Sequence, residues 1–324
     1  MKIVTTILPV FVAMLALASL QKTIPLAKLT VKVADVTGIP VQEATVRMTF
    51  HNPTWDPKEW GTGRGSKIVT ASTNTLGQCV LSDNCDGELG GGVAKENFYR
   101  GWWIPYHFDT VADNKWQPWN PTVQVVLKKI INPIPMYARH AHVDLPVLDQ
   151  PAGFDLAEGD WVSPNGRGKT ADLVFKLTKR VESFKSFGAE LLITFSNPGD
   201  GIQFMPTEKG SDLRSPYSAP NSAFTPSLSL QQGNSKERGR YGLRDTAHDF
   251  FFRVRTVMGT DRQVVSALFG KIYGAIEYFP VSHKTAKLRF TYYLNPTPND
   301  RNIEFDPKRN LFTNLNNDER VTQP

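Results

Sequence analysis

LTVKVADVTGIPVQEATVRMTF, residues 29 to 50, decides the fold class. Leu29, Val31 and Val33 alternate with Thr30 and Lys32, and Ala44, Val46, Met48 and Phe50 alternate with Thr45, Arg47 and Thr49. That period of two belongs to extended strands with one buried face. Between the two runs, Asp35 to Pro40 supplies an Asp, a Gly able to take positive φ and a Pro with no N–H for a ladder, so the chain turns there. The stretch reads as two antiparallel strands of an all-β module. Such modules host many unrelated functions, so the pattern speaks to architecture and not to ligand.

Asp35, Gly38, Pro40, Ala44 and Val46, followed by TNTLGQ with Gly77, resemble the V-x-D-x-x-G-x-P-x-x-x-A-x-V…G pattern of carboxypeptidase regulatory-like domains. The resemblance implies a seven-stranded, transthyretin-like or Ig-like sandwich over residues 26–131 and a non-catalytic accessory role. Where that family has Gly-Tyr near the end of the module, this chain has Asn97, Phe98 and Tyr99; Asn enters the left-handed region more readily than most residues. The second half resembles secreted bacterial proteins of no assigned activity, through DLAEGDWVSPNGRGKTADLVF and YYLNPTPNDRNIEFD.

The chain has 324 residues, room for two domains, and its 23 Pro and 24 Gly are spread without period, as many short strands and turns require. Lys2, the apolar run Ile3 to Leu17 and Ala16-Leu17-Ala18 have the three parts of a secretory signal, so residues 1–18 are expected to be cleaved before Ser19. An uncleaved anchor is the competing reading, for which the apolar run is short of the ~20 residues a span needs. No Cys follows the cleavage point, so no lipid is expected there, and the expected location is periplasmic or extracellular. Cys79 and Cys85 are expected to pair as a disulfide in an exported chain, with a metal pair as the alternative. The net charge of +6 becomes +5 without Lys2, and its charges are interspersed, with no basic stripe of the nucleic-acid-binding kind.

After the first hairpin, residues 51–67 read as a loop. Further strands are expected at 67–72, 78–81, 92–99 and 122–131, and Asn132 to Pro135 is the boundary. A second, larger antiparallel sandwich is expected over 135–305, built on TADLVFKL, AELLITF, FFFRVRTVM and KLRFTYYL. Thr207 to Arg240 reads as a long loop, either a binding flap or an insertion. Val264 to Phe279 reads as two strands or one bent strand because of Gly270 and Gly274, with a helix over 264–269 left open. Residues 306–324 read as an extended tail.

Four constellations bear on chemistry. Asp155, Glu158, Asp160 and Asp172 flank a Gly-rich turn and offer the carboxylate pair of a glycoside hydrolase, against the Asx-turn use of the same residues. His140 and His142 share one face of a strand and offer two metal ligands without an evident third. Asn197 and Asp200 in SNPGDG offer oxygen ligands for Ca²⁺, with turn chemistry as the alternative. Trp55, Trp60, Trp102, Trp103, Trp116 and Trp119, six of the seven Trp, fall near Pro or Gly in segments that do not alternate. They are either packed in loops and at the domain seam or presented to a ligand. No G-x-S-x-G, H-E-x-x-H, P-loop or dinucleotide fingerprint in strand–helix context occurs. The reading that results is an exported, non-catalytic protein that binds polysaccharide or envelope glycan through the Trp set, with no cofactor required. The alternatives are a β-sandwich hydrolase using the 155–172 carboxylates and a structural envelope or adhesion component.

Overall fold

The computed structural model describes residues 24–51, 65–183, 185–237, 239–242, 248–279 and 286–324, with the backbone only at 103–105. The chain is all-β: twenty strands and a single 3₁₀ turn at Pro307–Arg309 among the described residues. Residues 1–18 lie outside them, as does most of the 51–67 loop.

The first core is closed by two sheets. β1 (Leu26–Asp35) pairs antiparallel with β4 (Gln78–Asn84) and parallel with β9 (Thr122–Leu127); the short β8 (Lys115–Gln117) and β7 (Thr110–Ala112) extend that sheet. The second sheet runs β3 (Ser66–Ser72), β2 (Thr45–His51), β5 (Glu88–Ala94), β6 (Gly101–His107). The alternation of residues 29–50 lands as expected, but its two strands do not pair as a hairpin: β1 bonds to β4 and β9, β2 to β3 and β5, and the turn at Asp35 carries the chain from one sheet to the other. Leu29, Val31 and Val33 from one sheet face Val46, Met48 and Phe50 from the other, all fully buried, each contributing about 1.5–3 kcal/mol by leaving water. Asp35 closes the turn: its Oδ1 accepts from Thr37 N–H (2.9 Å), Thr37 hydroxyl (2.6 Å) and Ile39 N–H (3.1 Å), while Gly38 sits at φ +84°. The Thr37 hydroxyl first, and then the backbone donors, hold the Asp35 carboxyl below the usual range against its burial.

The expected disulfide is absent. Cys79 and Cys85 are both free and buried. The expectation put a turn between them, but β4 is an unbroken strand from 78 to 84, in continuous register with β1, and the turn falls after Cys85. Six residues of strand separate the two Cα atoms by roughly 20 Å, far beyond the ~7 Å a disulfide spans. Burial pushes both thiols up, Cys85 to about 11.

The second core is also a pair of sheets. One runs β10 (Tyr137–Asp144), β20 (Lys287–Leu294), β19 (Val264–Phe279), β18 (Asp249–Met258), β15 (Gly201–Met205); the other runs β12 (Asp160–Trp161), β11 (Ala152–Asp155), β13 (Leu173–Ser183), β14 (Ser186–Thr194), β16 (Ser227–Ser235), β17 (Gly239–Tyr241). Phe154, Phe175 and Leu191 pack across to Phe252, Ile272 and Phe290. The β20 sheet is covered on its other face too, by Met136, Ile303, Phe305 and Val321, which explains the unbroken Phe250-Phe251-Phe252 run: Phe250 and Phe252 face one core and Phe251 the other. Val264–Phe279 is one bent strand. Its register with β20 shifts between Tyr273 and Glu277, where Gly274 takes φ +77°; no helix forms at 264–269.

Two further expectations change in detail. The loop read over 207–240 contains β16, and its first part is no free flap. Lys128 Nζ donates to the Ser215 carbonyl (2.8 Å), and Leu213 and Ser215 are fully buried. The tail is extended and pinned: Leu311 N–H donates to Met136 O (3.0 Å), Phe312 meets Tyr137 edge-on, and Arg139 pairs with Glu319.

Candidate functional site

The candidate site is a groove of about 360 Å³ on the outer face of the β3-β2-β5-β6 sheet. With Val46, Met48 and Phe50 turned inward, Thr45 and Arg47 must face out. Cross-strand register then sets Thr70, Arg47, Gly92 and Trp102 in one row over four strands. Strands lie about 4.8 Å apart, so Arg47 and Trp102 rise from backbones roughly 10 Å apart, with an empty position between them at Gly92. A Cβ there would come within 3.2 Å of the Gly101 carbonyl, and one at Gly90 would meet nothing within 4 Å. The floor is bare backbone. Trp102 remains 38% exposed, large for an indole beside a sheet.

The far wall comes from the second half of the chain. Trp102 N–H donates to the Gly210 carbonyl (2.9 Å) and Asp212 N–H to the Arg100 carbonyl (2.9 Å), so residues 210–212 add themselves to the edge of β6. Only a glycine at 210 permits this approach, since a Cβ would sit 2.6 Å from Trp102 O. Asp212 is thereby aimed at Arg100, whose Nε lies 3.0 Å from its Oδ2. Arg100 is largely exposed, so the pair adds about 0–1 kcal/mol and serves mainly to orient both groups. Arg47 has no ion pair and no hydrogen bond among the described residues. The groove therefore offers an aromatic face, a guanidinium unpaired among the described residues and a carboxylate, at the seam of two cores where ligand sites commonly form.

The described Trp side chains do not share one platform. Trp55 and Trp60 lie outside the described residues, as does the side chain of Trp103. Trp116 is packing: it stacks on Phe108 at 6.0 Å, donates Nε1–H to the Cys85 carbonyl (2.9 Å) and lies under Gly87. Trp119, also 38% exposed, belongs to the other sheet's outer side, with Lys28 and Lys115 5.7 and 5.2 Å from its ring. Trp102 alone of the described set lines the groove.

The carboxylates of the Gly-rich turn are engaged by protein. Asp155 accepts from the N–H groups of Ala157, Glu158, Lys169 and Thr170, and Asp172 from Leu156 N–H. Arg255 joins them, its Nε 2.8 Å from Asp172 and its Nη2 3.0 Å from Asp155. Burial is the largest single influence on each acid and pushes both up. For Asp155 the four N–H donors together outweigh it and leave the carboxyl below its usual range; Asp172 stays above. Glu158 pairs with Lys169 at 2.8 Å, and Asp160 accepts from Trp161 and Arg167 N–H. Both buried acids are turned to one arginine and not to an open cleft.

His140 and His142 do share a face of β10. His140 Nδ1 lies 2.7 Å from Thr291 Oγ1, burial lowers its pKa, and His142 approaches Asp318 at 3.9 Å. Asn197 donates to Asp200 Oδ2 (3.0 Å), whose Oδ1 accepts from Thr256 N–H (2.8 Å), a turn brace. Among the described residues no group of three or more His, Cys, Asp or Glu could hold a metal ion. Sequence reasoning missed Arg47, Gly92, Arg100 and Asp212. The available signal was Gly90-Gly91-Gly92 inside a strand, where glycines mark a place something approaches the backbone closely.

No protein-family model matches the chain, and no curated protein matches it. Among solved structures it is similar to a 3-chlorocatechol 1,2-dioxygenase from Rhodococcus opacus 1CP (10% identity, TM-score 0.26), over 34% of this chain and 62% of that one, which is less than two thirds of its length. It is similar to the shaft pilin SpaA of Lactobacillus rhamnosus GG (12% identity, TM-score 0.22, over 57% of this chain and 94% of that one). A candidate carbohydrate-binding protein from Bacteroides uniformis ATCC 8492 aligns at 8% identity and TM-score 0.20, over 82% of this chain and 97% of that one. Scores this low carry no argument about function, which rests on the residues of the groove.

Proposed function

We propose that the chain is an exported, non-catalytic binding protein that holds polysaccharide or cell-envelope glycan in the Trp102 groove. The observation that carries this reading is a half-open indole beside a bare-backbone floor, flanked by Arg47, Arg100 and Asp212. Sugar rings stack their C–H faces on such rings, and fixed polar groups take the hydroxyls. The turn roles of Asp35 and Gly38 support a regulatory-like sandwich as the module that carries the groove. The buried bonds between the cores, Lys128 to Ser215 and Tyr99 to Glu304 (2.8 Å each), favour a second reading as an envelope component.

Trp102→Ala should weaken glycan binding at least tenfold, the scale of an interface hot spot, and leave the melting temperature within a degree or two because the ring is already exposed. A glycan array beside thermal melts checks this. A wild type that binds no glycan, with a large melting loss in the variant, would transfer the choice to the envelope reading. Export and thiol state are read from one intact-mass measurement of secreted protein, alkylated while denatured and unreduced. It should lack residues 1–18 and carry two alkyl groups; a retained leader or an unalkylated pair of cysteines contradicts the corresponding half.

A further inference from the structure

We infer that the groove selects acidic saccharides: a hexuronate ring against Trp102 with its carboxylate on Arg47. The inference rests on the reading of the groove as a glycan site and adds the charge of the sugar. Three observations carry it. The first is the row Arg47, Gly92, Trp102, whose empty middle position leaves roughly 10 Å between the flanking backbones. A pyranose standing against the indole at van der Waals distance occupies that gap and brings an exocyclic carboxylate to the far side, where Arg47 stands.

The second is the charge balance. Arg100 already has Asp212 at 3.0 Å, whereas Arg47 has no partner among the described residues, so among them the groove holds one uncompensated cation. A guanidinium presents two parallel N–H donors that match a carboxylate in a bidentate pair, which a neutral hydroxyl cannot match. The third is the wall opposite. Asp212 is fixed through its own N–H to the Arg100 carbonyl, and its carboxylate is an acceptor for ring hydroxyls, the part of the ligand that carries no charge. Among the described residues, a single free cation beside one ring is too little for a nucleic-acid track, which needs a stripe of cations and several stacking platforms.

The test measures binding of wild type, Arg47→Met, Arg47→Lys and Trp102→Ala to polygalacturonate and alginate, and to their methyl-esterified forms, by affinity electrophoresis at low and moderate salt. Arg47 is exposed, so its variants are expected to fold, and circular dichroism melts verify this. The wild type should bind at least one free-acid polymer tenfold or more tighter than its ester, with the preference shrinking as salt rises. Arg47→Met should abolish that preference while keeping the ester affinity, Arg47→Lys should retain only part of it, and Trp102→Ala should weaken both forms. If wild type binds acid and ester equally, or Arg47→Met lowers both alike, the selectivity is refuted while the Trp102 effect keeps the groove as a glycan site. If wild type binds none of the polymers, the inference falls with it; if Trp102→Ala changes nothing, the groove reading itself falls.

Discussion

Arg255→Met should lower the unfolding free energy by about 3–5 kcal/mol, the cost of leaving a buried charge without its partner. Asp172 is fully buried, and without Arg255 its carboxylate keeps only the Leu156 N–H at 2.9 Å. Asp155 is better protected by its four backbone donors, so the loss centres on Asp172. The sign of the pH effect follows. Burial already raises the Asp172 pKa, and removing the guanidinium raises it further. The penalty in the variant is therefore full above that raised value and is relieved as pH falls through it, when the folded state takes up a proton. Denaturant titrations should show the gap between wild type and variant narrowing from neutral pH toward acid. Adding Asp172→Asn to Arg255→Met should recover part of the loss, since the uncompensated charge is then gone. A single-variant loss below about 1 kcal/mol, or a gap that widens on acidification, would show that water reaches Asp172 and that the triad is not a brace. Arg255 holds φ +54° at the bulge between Val254 and Val257, where most side chains are strained. A bulge re-aims the side chain it carries, and here the guanidinium meets the two acids.

The parts of the molecule legible in its sequence are those that one local pattern determines. The alternation of residues 29–50 and the turn at Asp35 and Gly38 needed only their own neighbours. Val264–Phe279 was legible as two strands or one bent strand because Gly270 and Gly274 announce a break, and the long-range register with β20 decides for one bent strand. Cys79 and Cys85 misled because spacing alone cannot say whether the residues between them turn or extend, and β4 extends. The Trp residues stayed open between packing and presentation for a related reason. Proximity to Pro and Gly places an indole in an irregular segment, but whether it faces a core, as Trp116 does, or a groove, as Trp102 does, depends on residues far along the chain. The groove itself is made from Arg47, Gly92, Trp102 and Asp212, which four separate segments supply. Cross-strand register brings the first three into one row, and a loop from the second half adds the last. None of these juxtapositions has a local signature.

Lys271→Met should raise the stability of the protein at neutral pH by about 1–4 kcal/mol, because burying this amine costs free energy, either by desolvating its charge or by giving up its proton, that an apolar side chain of similar volume does not. Lys271 is fully buried on β19, on the face turned toward the first core, and no carboxylate among the described residues is bonded to it. The charges around it are committed elsewhere. Lys128 pairs with Glu208 at 2.8 Å and Arg214 with Asp249 at 3.0 Å, while Glu304 accepts from Tyr99 and from the N–H groups of Ile131 and Asn132. Burial first, and the charge of Lys128 second, push the Lys271 pKa well below its ordinary value. The Tyr273 and Tyr293 rings, 4.4 and 4.7 Å away, favour the charged form, but each by only ~2 kcal/mol against a desolvation penalty of several. Burial therefore shifts Lys271 toward the neutral amine. Its Nζ lies 2.9 Å from Tyr273 Oη and 3.1 Å from Ser215 Oγ, which are 3.0 Å from each other. Nζ donates to both oxygens and the Tyr273 hydroxyl donates to Ser215 Oγ, so two amine hydrogens are enough to complete the triangle. Between the lowered folded value and the unfolded one near 10.4, the unfolded chain binds a proton that the folded chain does not. Lys271 thus contributes an increase of stability with rising pH, at most ~1.4 kcal/mol per unit. Lys271→Met should remove that slope, leaving Ser215 and Tyr273 bonded to each other. Denaturant titrations of both proteins from pH 6 to 10 read it directly. A variant less stable than wild type by more than about 1 kcal/mol, with an unchanged slope, would mean that Lys271 is charged and paired, and that the seam depends on it.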